Sequence, residues 1–386
     1  MKIAFIYTSP FPAKRGFSAA DRRVRDLVRG MQFAGAAVTL CIPKYHQELS
    51  VRTHNEDFEI NYSGRKTVRG IKFIDRLFFW VDLYSYISKN DFTTVFLYNT
   101  QADCIPFVKL IKRKGIKVIF EICDFHSFDE RKSLKTYLAT MTESVLPKEA
   151  DLVITISDFL IEMLAKKSSP TNILKIPILV DSDYFQDTTN VNVSTYKSDD
   201  FLISYVGGVW HHQGVGFLME AFKKVNKLRP DTKLLLAGNY DTLSPNKTDV
   251  LSLAKELDIL DNVILPGWVG TEEVRSILYA SDLLVIAQTN DVFAQAGLPT
   301  KLAEYAACRK PILATKVGDV PAYFKDKYNG LLCEPSDVNS MADAILYAVD
   351  NPKEMKSISY KAFETANTYF DYKTNGIIIY NKLKSL

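Results

Sequence analysis

The sequence predicts an α/β protein of two domains, each a doubly wound parallel sheet, on three observations. Its 386 residues are enough for two complete cores. The same strand–loop–helix–strand unit opens both halves. Its strands are near-continuous apolar runs, as expected where helices cover both faces of a parallel sheet.

In the first half KIAFIY is a strand, TSPFPAKRGFSAAD a loop, a helix runs through MQFAG, and AVTLCIP is the next strand. KVIFEICD is a further buried strand. In the second half FLISYVGG, the loop VWHHQG, a helix through KKVNKLRP and the strand KLLLAG repeat the pattern. SDLLVIAQ and KPILAT then flank a loop and helix as another βαβ unit. The polar, aperiodic stretch SDYFQDTTNVNVSTYKSDD reads as an interdomain linker, and YKTNGIIIYNKLKSL as a closing helix. The expected division is residues 1–180, a linker 181–200, a second domain 201–368 and a final helix 369–386.

Composition excludes several classes. Hydrophobic residues make up 47% and charged residues 24%, ordinary for a globular chain. The most apolar tract, FIDRLFFWVDLYSYI, is interrupted by Asp75, Arg76 and Asp82 and falls short of the roughly 20 residues of a transmembrane helix. MKIAFIYTSPFP reads as a first strand and turn, not a signal peptide. Cys41, Cys104, Cys123, Cys308 and Cys333 have no CxxC spacing, so a structural metal is not expected and a reduced, cytoplasmic setting is. Neither glycine loop is a G-x-G-x-x-G with its acidic partner, which argues against a nicotinamide or flavin enzyme.

Charge is uneven. Residues 1–180 hold 27 Lys+Arg against 19 Asp+Glu, and residues 181–386 hold 21 against 26. The basic excess sits in groups such as Arg22, Arg23, Arg25 and Arg29, and Lys109, Lys112, Arg113, Lys114 and Lys117. Solvated helix faces account for such groups, as does contact with an anionic membrane surface. No nucleic-acid partner is expected, because the basic stretches lack interleaved aromatics and match no helix-turn-helix or RNP pattern.

The most informative stretch is Gly297-Leu298-Pro299-Thr300-Lys301-Leu302-Ala303-Glu304. Pro299 suits the first helical position, which puts Lys301 near the positive end of the helix dipole, where an anion rather than a cation is favoured. Glu304 lies one turn on. Taken alone the two residues are an exposed ion pair worth about 0.3–0.5 kcal/mol. At the carboxyl edge of a parallel sheet, where open α/β folds bind ligands, they offer a cation to phosphate and a carboxylate to sugar hydroxyls.

GLPTKLAEYAACRKPILATKVGDVPAYFKDKYNGLLCEPSD resembles the donor-binding segment of family 4 retaining glycosyltransferases. YVGGVWHHQGVGFLMEAF, VILPGWVGTEEVRSILYASDLLV, MKIAFIYTSPFP and ILKIPILVDSDYF resemble other segments of that family across nearly the whole chain. The resemblance implies the GT-B fold: two Rossmann-like domains facing a cleft, an acceptor domain first and a nucleotide-sugar donor domain second, with the last helix crossing back to the first domain. It implies transfer of a sugar from a UDP- or GDP-sugar to a glycan or lipid-linked acceptor in cell-surface polysaccharide synthesis. Neither a metal nor a cofactor is implied, the nucleotide sugar being a substrate. A nucleotide-sugar 2-epimerase of the same fold and a non-catalytic nucleotide-sugar-binding scaffold are the rival readings.

By the same resemblance Lys301 faces the departing diphosphate and Glu304 the ribose. Gly207, Gly208, His211 and His212 form the glycine loop, Gly297 and Leu298 lead into the phosphate helix, and Gly267, Trp268 and Val269 meet the base. Gly16, Arg15 and Asp124 fall on the acceptor side. From its place after the strand KVIFEICD, His126 is either a structural histidine or one with a catalytic role beside the sugar or acceptor. Two departures stand out: Ala296 replaces the first carboxylate of the family's Glu, seven residues, Glu pattern, and Gly208 and Gln213 replace its Arg and Lys.

Overall fold

A computed structural model describes residues 1–12, 18–49, 58–65, 72–123, 134–189, 191–240 and 246–386. The chain divides into two units, Met1–Leu179 with Tyr372–Leu386, and Val180–Asp371.

In the first unit β1 (Lys2–Tyr7), α1 (Ala19–Phe33), β2 (Ala37–Pro43), β3 (Glu59–Ser63), α2 (Lys72–Lys89), β4 (Thr94–Tyr98), α3 (Ile105–Arg113), β5 (Lys117–Ile122), α4 (Leu134–Glu149), β6 (Leu152–Thr155), α5 (Asp158–Lys167) and β7 (Ile173–Lys175) follow in order. The strands form one parallel sheet in the order β3-β2-β1-β4-β5-β6-β7, so the winding direction reverses between β1 and β4. β1 and β4 are buried along nearly their whole length, and Phe5 stacks on Phe96 with ring centroids 4.4 Å apart. Such two-sided burial explains their unbroken apolar sequence.

Helix α1 opens on a capping box. Ser18 Oγ accepts from Asp21 N–H at 3.1 Å, and Asp21 Oδ2 accepts from Ser18 N–H at 2.9 Å. Its buried Arg23 donates from Nε to Glu121 Oε1 at 2.6 Å and from its two terminal nitrogens to the carbonyls of Pro177 and Ile176 at 2.6 and 2.9 Å. One planar guanidinium therefore ties α1 to β5 and to the chain leaving β7.

The second unit contains α6 (Ser182–Gln186), β8 (Phe201–Val206), α7 (Val215–Leu228), β9 (Thr232–Ala237), α8 (Val250–Glu256), β10 (Val263–Gly267), α9 (Thr271–Ala280), β11 (Leu283–Ile286), α10 (Val292–Ala296), α11 (Thr300–Ala307), β12 (Ile312–Thr315), α12 (Val320–Tyr323), β13 (Leu331–Cys333), α13 (Val338–Asp350) and α14 (Pro352–Thr365). Its parallel sheet runs β10-β9-β8-β11-β12-β13, reversing between β8 and β11. The α/β fold of two doubly wound parallel sheets read from the sequence is thus the one observed.

The segment expected to be a bare linker belongs to the second unit. Its α6 buries Phe185, whose carbonyl accepts from Tyr279 Oη at 2.6 Å, and Asn192 N–H donates to Ser276 Oγ at 3.0 Å. Polar, aperiodic composition concealed this anchoring because the groups it engages, such as Ser276, Tyr279 and Ala307, are distant in sequence. The last helix, α15 (Tyr372–Lys384), starts three residues after the expected 369 and packs on α1 within the first unit. There Gly30 and Gly376 bring the two backbones together: a Cβ built on Gly376 would lie 2.1 Å from Gly30 C.

Candidate functional site

The second unit's candidate site is built where its sheet changes direction. After β8, Gly207 and Gly208 lead through Trp210 into a single 3-10 turn, His211–Gln213, and Gly214 starts α7. After β11, the chain passes Thr289 and Asp291 into α10. The two loops are bonded to each other: His212 O accepts from Thr289 N–H at 3.0 Å. Gly214 has φ +69, and a Cβ there would lie 1.7 Å from Ala287 O, so no other residue allows the loops to meet this closely. Carboxyl ends of strands at such a switch point are where open α/β sheets place ligands.

Buried tyrosines fix the glycine loop. Tyr205 Oη donates to Gly208 O at 2.6 Å and lies 3.3 Å from Gln213 Oε1, while Tyr305 Oη accepts from Val206 N–H at 3.2 Å. Burial pushes both phenols up from their ordinary pKa, which keeps them neutral. Gln213 therefore lies against Tyr205. Neither tyrosine was singled out in the sequence, since an apolar strand and helix give an aromatic hydroxyl no distinguishing signal.

Three adjacent strand ends carry glycine. Gly207 N–H donates to Ala237 O at 2.9 Å and Gly238 N–H to Gly267 O at 2.8 Å. A Cβ on Gly238 would come within 1.9 Å of Gly207 O. Gly267 adopts φ +79 and turns the chain into Trp268, which is 59% exposed, and Val269, whose side chain is buried. Trp268 thus presents an indole beside this edge, while Val269 has only its backbone to offer.

Asp291 caps α10, accepting from Ala294 N–H at 2.9 Å, and takes a hydrogen bond from Thr289 Oγ1 at 3.0 Å. With His211, His212 and Thr248 it lines a recess of about 240 Å³. Burial holds the His212 imidazole below its usual pKa against the opposing pull of Asp291, so at neutral pH it is an uncharged hydrogen-bonding group. Trp210 forms an antiparallel bridge with Lys247, whose ammonium lies 5.1 Å from the indole centroid. This cation beside the glycine loop escaped the sequence reading because it comes from a distant loop.

Helix α11 corrects one expectation. Pro299 is the N-cap of α11, with φ −63 and ψ 119, not its first helical residue, and no side chain caps the helix. Lys301 stands in the first turn, but its Nζ lies 2.8 Å from Glu304 Oε2, and Glu304 is buried. The two residues expected to face one ligand are joined to each other. An ammonium carries three N–H donors, so this pairing does not by itself exclude a further acceptor. Leu298 and Ala296 are buried, and Gly297 ends α10 by donating to Phe293 O at 3.1 Å. Gly16, Arg15, Asp124 and His126 lie outside the described residues.

Residues 186–365 match the family described as glycosyl transferases group 1. The UDP-Gal:alpha-D-GlcNAc-diphosphoundecaprenol alpha-1,3-galactosyltransferase of Escherichia coli is 22% identical over 248 residues, 62% of this chain and 57% of that protein. The chain thus matches little more than half the length of this relative. The sucrose-phosphate synthase of Thermosynechococcus elongatus superposes with a TM-score of 0.80 at 17% identity, over 100% of this chain and 98% of that one. HepE of Anabaena, solved in complex with UDP-glucose, superposes with a TM-score of 0.75 at 16% identity over 100% of both chains. The last two establish a shared fold.

Proposed function

Because the Val180–Asp371 unit belongs to the group 1 glycosyl transferases, we propose that the chain transfers a sugar, with retention of its anomeric configuration, from a UDP- or GDP-sugar to a glycan or lipid-linked acceptor of the cell surface. The observation carrying this reading is the junction of the β8 and β11 loops at the sheet's switch point, with Lys301 and Glu304 on the helix that follows.

Breaking a glycosidic bond to a diphosphate develops positive charge at the sugar and negative charge on the leaving group. Preorganised donors stabilise that negative charge. Lys301, the uncapped first turn of α11 and the backbone beside Gly207 are the groups this unit offers, and they can act without a metal. Glu304, a buried acceptor, takes the ribose hydroxyls while holding Lys301 in place. The neutral imidazole of His212 contributes a hydrogen bond and no charge. The first unit holds the acceptor, and its basic excess supports a cytoplasmic protein resting on an anionic membrane surface.

Thermal-shift screening across UDP- and GDP-sugars tests the donor. A ligand at 100 times its Kd raises stability by about 2.7 kcal/mol. A stabilising nucleotide sugar followed by transfer with the anomeric configuration kept supports the reading, and turnover undiminished by chelator supports its metal independence. Inversion at the anomeric carbon, or stabilisation by no nucleotide sugar, contradicts it.

A further inference from the structure

The first unit contains a cavity that the donor chemistry leaves unused. It measures about 590 Å³ and lies between α2, α3 and α4, walled by Leu77, Trp80, Pro106, Leu138 and Met141. This size is within the range of small-molecule pockets. Gln101, Ala102 and Asp103, which follow β4, complete the lining. They place the cavity at the carboxyl edge of the sheet, beside the β1/β4 switch point, where an open α/β domain binds its ligand.

Its charged groups are paired with one another. Arg76 Nε donates to Asp103 Oδ2 at 2.8 Å, one terminal nitrogen donates to Gln101 Oε1 at 2.8 Å, and the other is paired with Asp103 Oδ1. Trp80 Nε1 also donates to Asp103 Oδ2, at 2.8 Å. The guanidinium fork is neutralised within the wall, so the cavity makes no demand for an anion or a metal. The remaining lining is aliphatic and open to water: Leu77 is 55%, Leu138 42% and Met141 37% exposed. Large side chains left bare around one concavity mark a binding site for an apolar group.

We propose that this cavity receives the hydrocarbon tail of the acceptor, making the substrate a lipid-linked sugar, and that Leu77, Leu138 and Met141 select for the tail. The proposal rests on the transferase reading for the identity of the head group. Charge opposes a two-fold contact with a second copy of the chain at this face: Lys109 and Arg113 lie with Pro106 on the exposed face of α3, and such a contact would bring these cations against themselves. A neutral chain in a neutral, aliphatic groove meets no such opposition.

Equilibrium dialysis of the intact protein against methyl, hexyl, octyl and decyl β-glucosides, below their micellar concentrations and without donor, tests the assignment. Affinity should rise about fourfold per methylene until the cavity is filled. Leu77→Asp and Leu138→Asp, both at exposed positions, should flatten that ladder, whereas Val81→Asp, one turn along α2 and outside the cavity, should leave it intact. Independently of these variants, ω-bromo-octyl glucoside should quench Trp80 in a chain carrying Trp210→Phe and Trp268→Phe. Affinity independent of chain length, equal loss in Val81→Asp, or absence of quenching at saturation overturns the proposal. Neither readout requires turnover. A ladder without donor binding would sink the transferase reading alone, and transfer without a ladder would sink only this proposal.

Discussion

Lys301 and Glu304 are each other's partner: Nζ and Oε2 lie 2.8 Å apart across the first turn of α11, with the carboxylate buried and the ammonium partly exposed. A surface pair of this spacing contributes little, but here removal of the cation strands an acid inside the unit. Lys301→Ala should therefore lower turnover by about 10²–10³-fold and also lower the melting temperature. In the double variant Lys301→Ala/Glu304→Ala the stability loss should be smaller than the sum of the two single losses. Additive stability losses would show that the side chains do not communicate.

Glu304→Gln removes the charge while keeping the shape. The ribose hydroxyls are the same in ground and transition states, so the effect should appear mainly as a raised KM for the donor. Because the residue is buried, a stability loss of about 1–3 kcal/mol should accompany it. A fall in kcat at unchanged KM would assign Glu304 to the chemical step.

The depressed pKa of His212 gives a signed dependence on pH. Above its ordinary value of 6.5 the imidazole is neutral in folded and unfolded chains alike, and contributes nothing to the slope. As pH falls below 6.5 the unfolded chain takes up a proton that the folded chain resists, so stability decreases. His212→Gln should reduce the loss of melting temperature between pH 7 and pH 5. An unchanged slope would place the acid sensitivity elsewhere.

Gly214→Ala should be the most damaging small change at the loop junction. It combines a positive φ with a clash against Ala287 O, together costing at least about 1–3 kcal/mol. Donor-induced stabilisation should disappear even where the protein remains folded. Gly216→Ala, where the nearest atom to a new Cβ is Leu253 Cδ2 at 3.9 Å, is the matched control.

The basic excess of residues 1–180 should produce weak, reversible binding to anionic vesicles that falls as salt shortens the Debye length. Cosedimentation with anionic and neutral vesicles at two ionic strengths measures it. Equal binding to both lipids would show that charge is not responsible.

Much of the fold was legible in the sequence because it depends on local pattern. Buried parallel strands require unbroken apolar runs, so β1, β8, β11 and β12 announced themselves. The repeated strand–loop–helix–strand unit gave two doubly wound sheets. Gly207 and Lys301 stood out as candidates because they sit at loop-to-element transitions, where few residue types fit. What tertiary structure alone decided was how groups distant in sequence meet. Tyr205 and Tyr305 brace one loop, Gly214 closes on Ala287, Lys247 reaches Trp210, and Gly30 and Gly376 let α15 lie on α1. The cavity between α2, α3 and α4 is of the same kind, since its walls are helix faces whose periodicity reveals amphipathicity but not which faces stay open. Sequence periodicity fixes the direction a side chain takes from its own backbone; packing determines what it meets there.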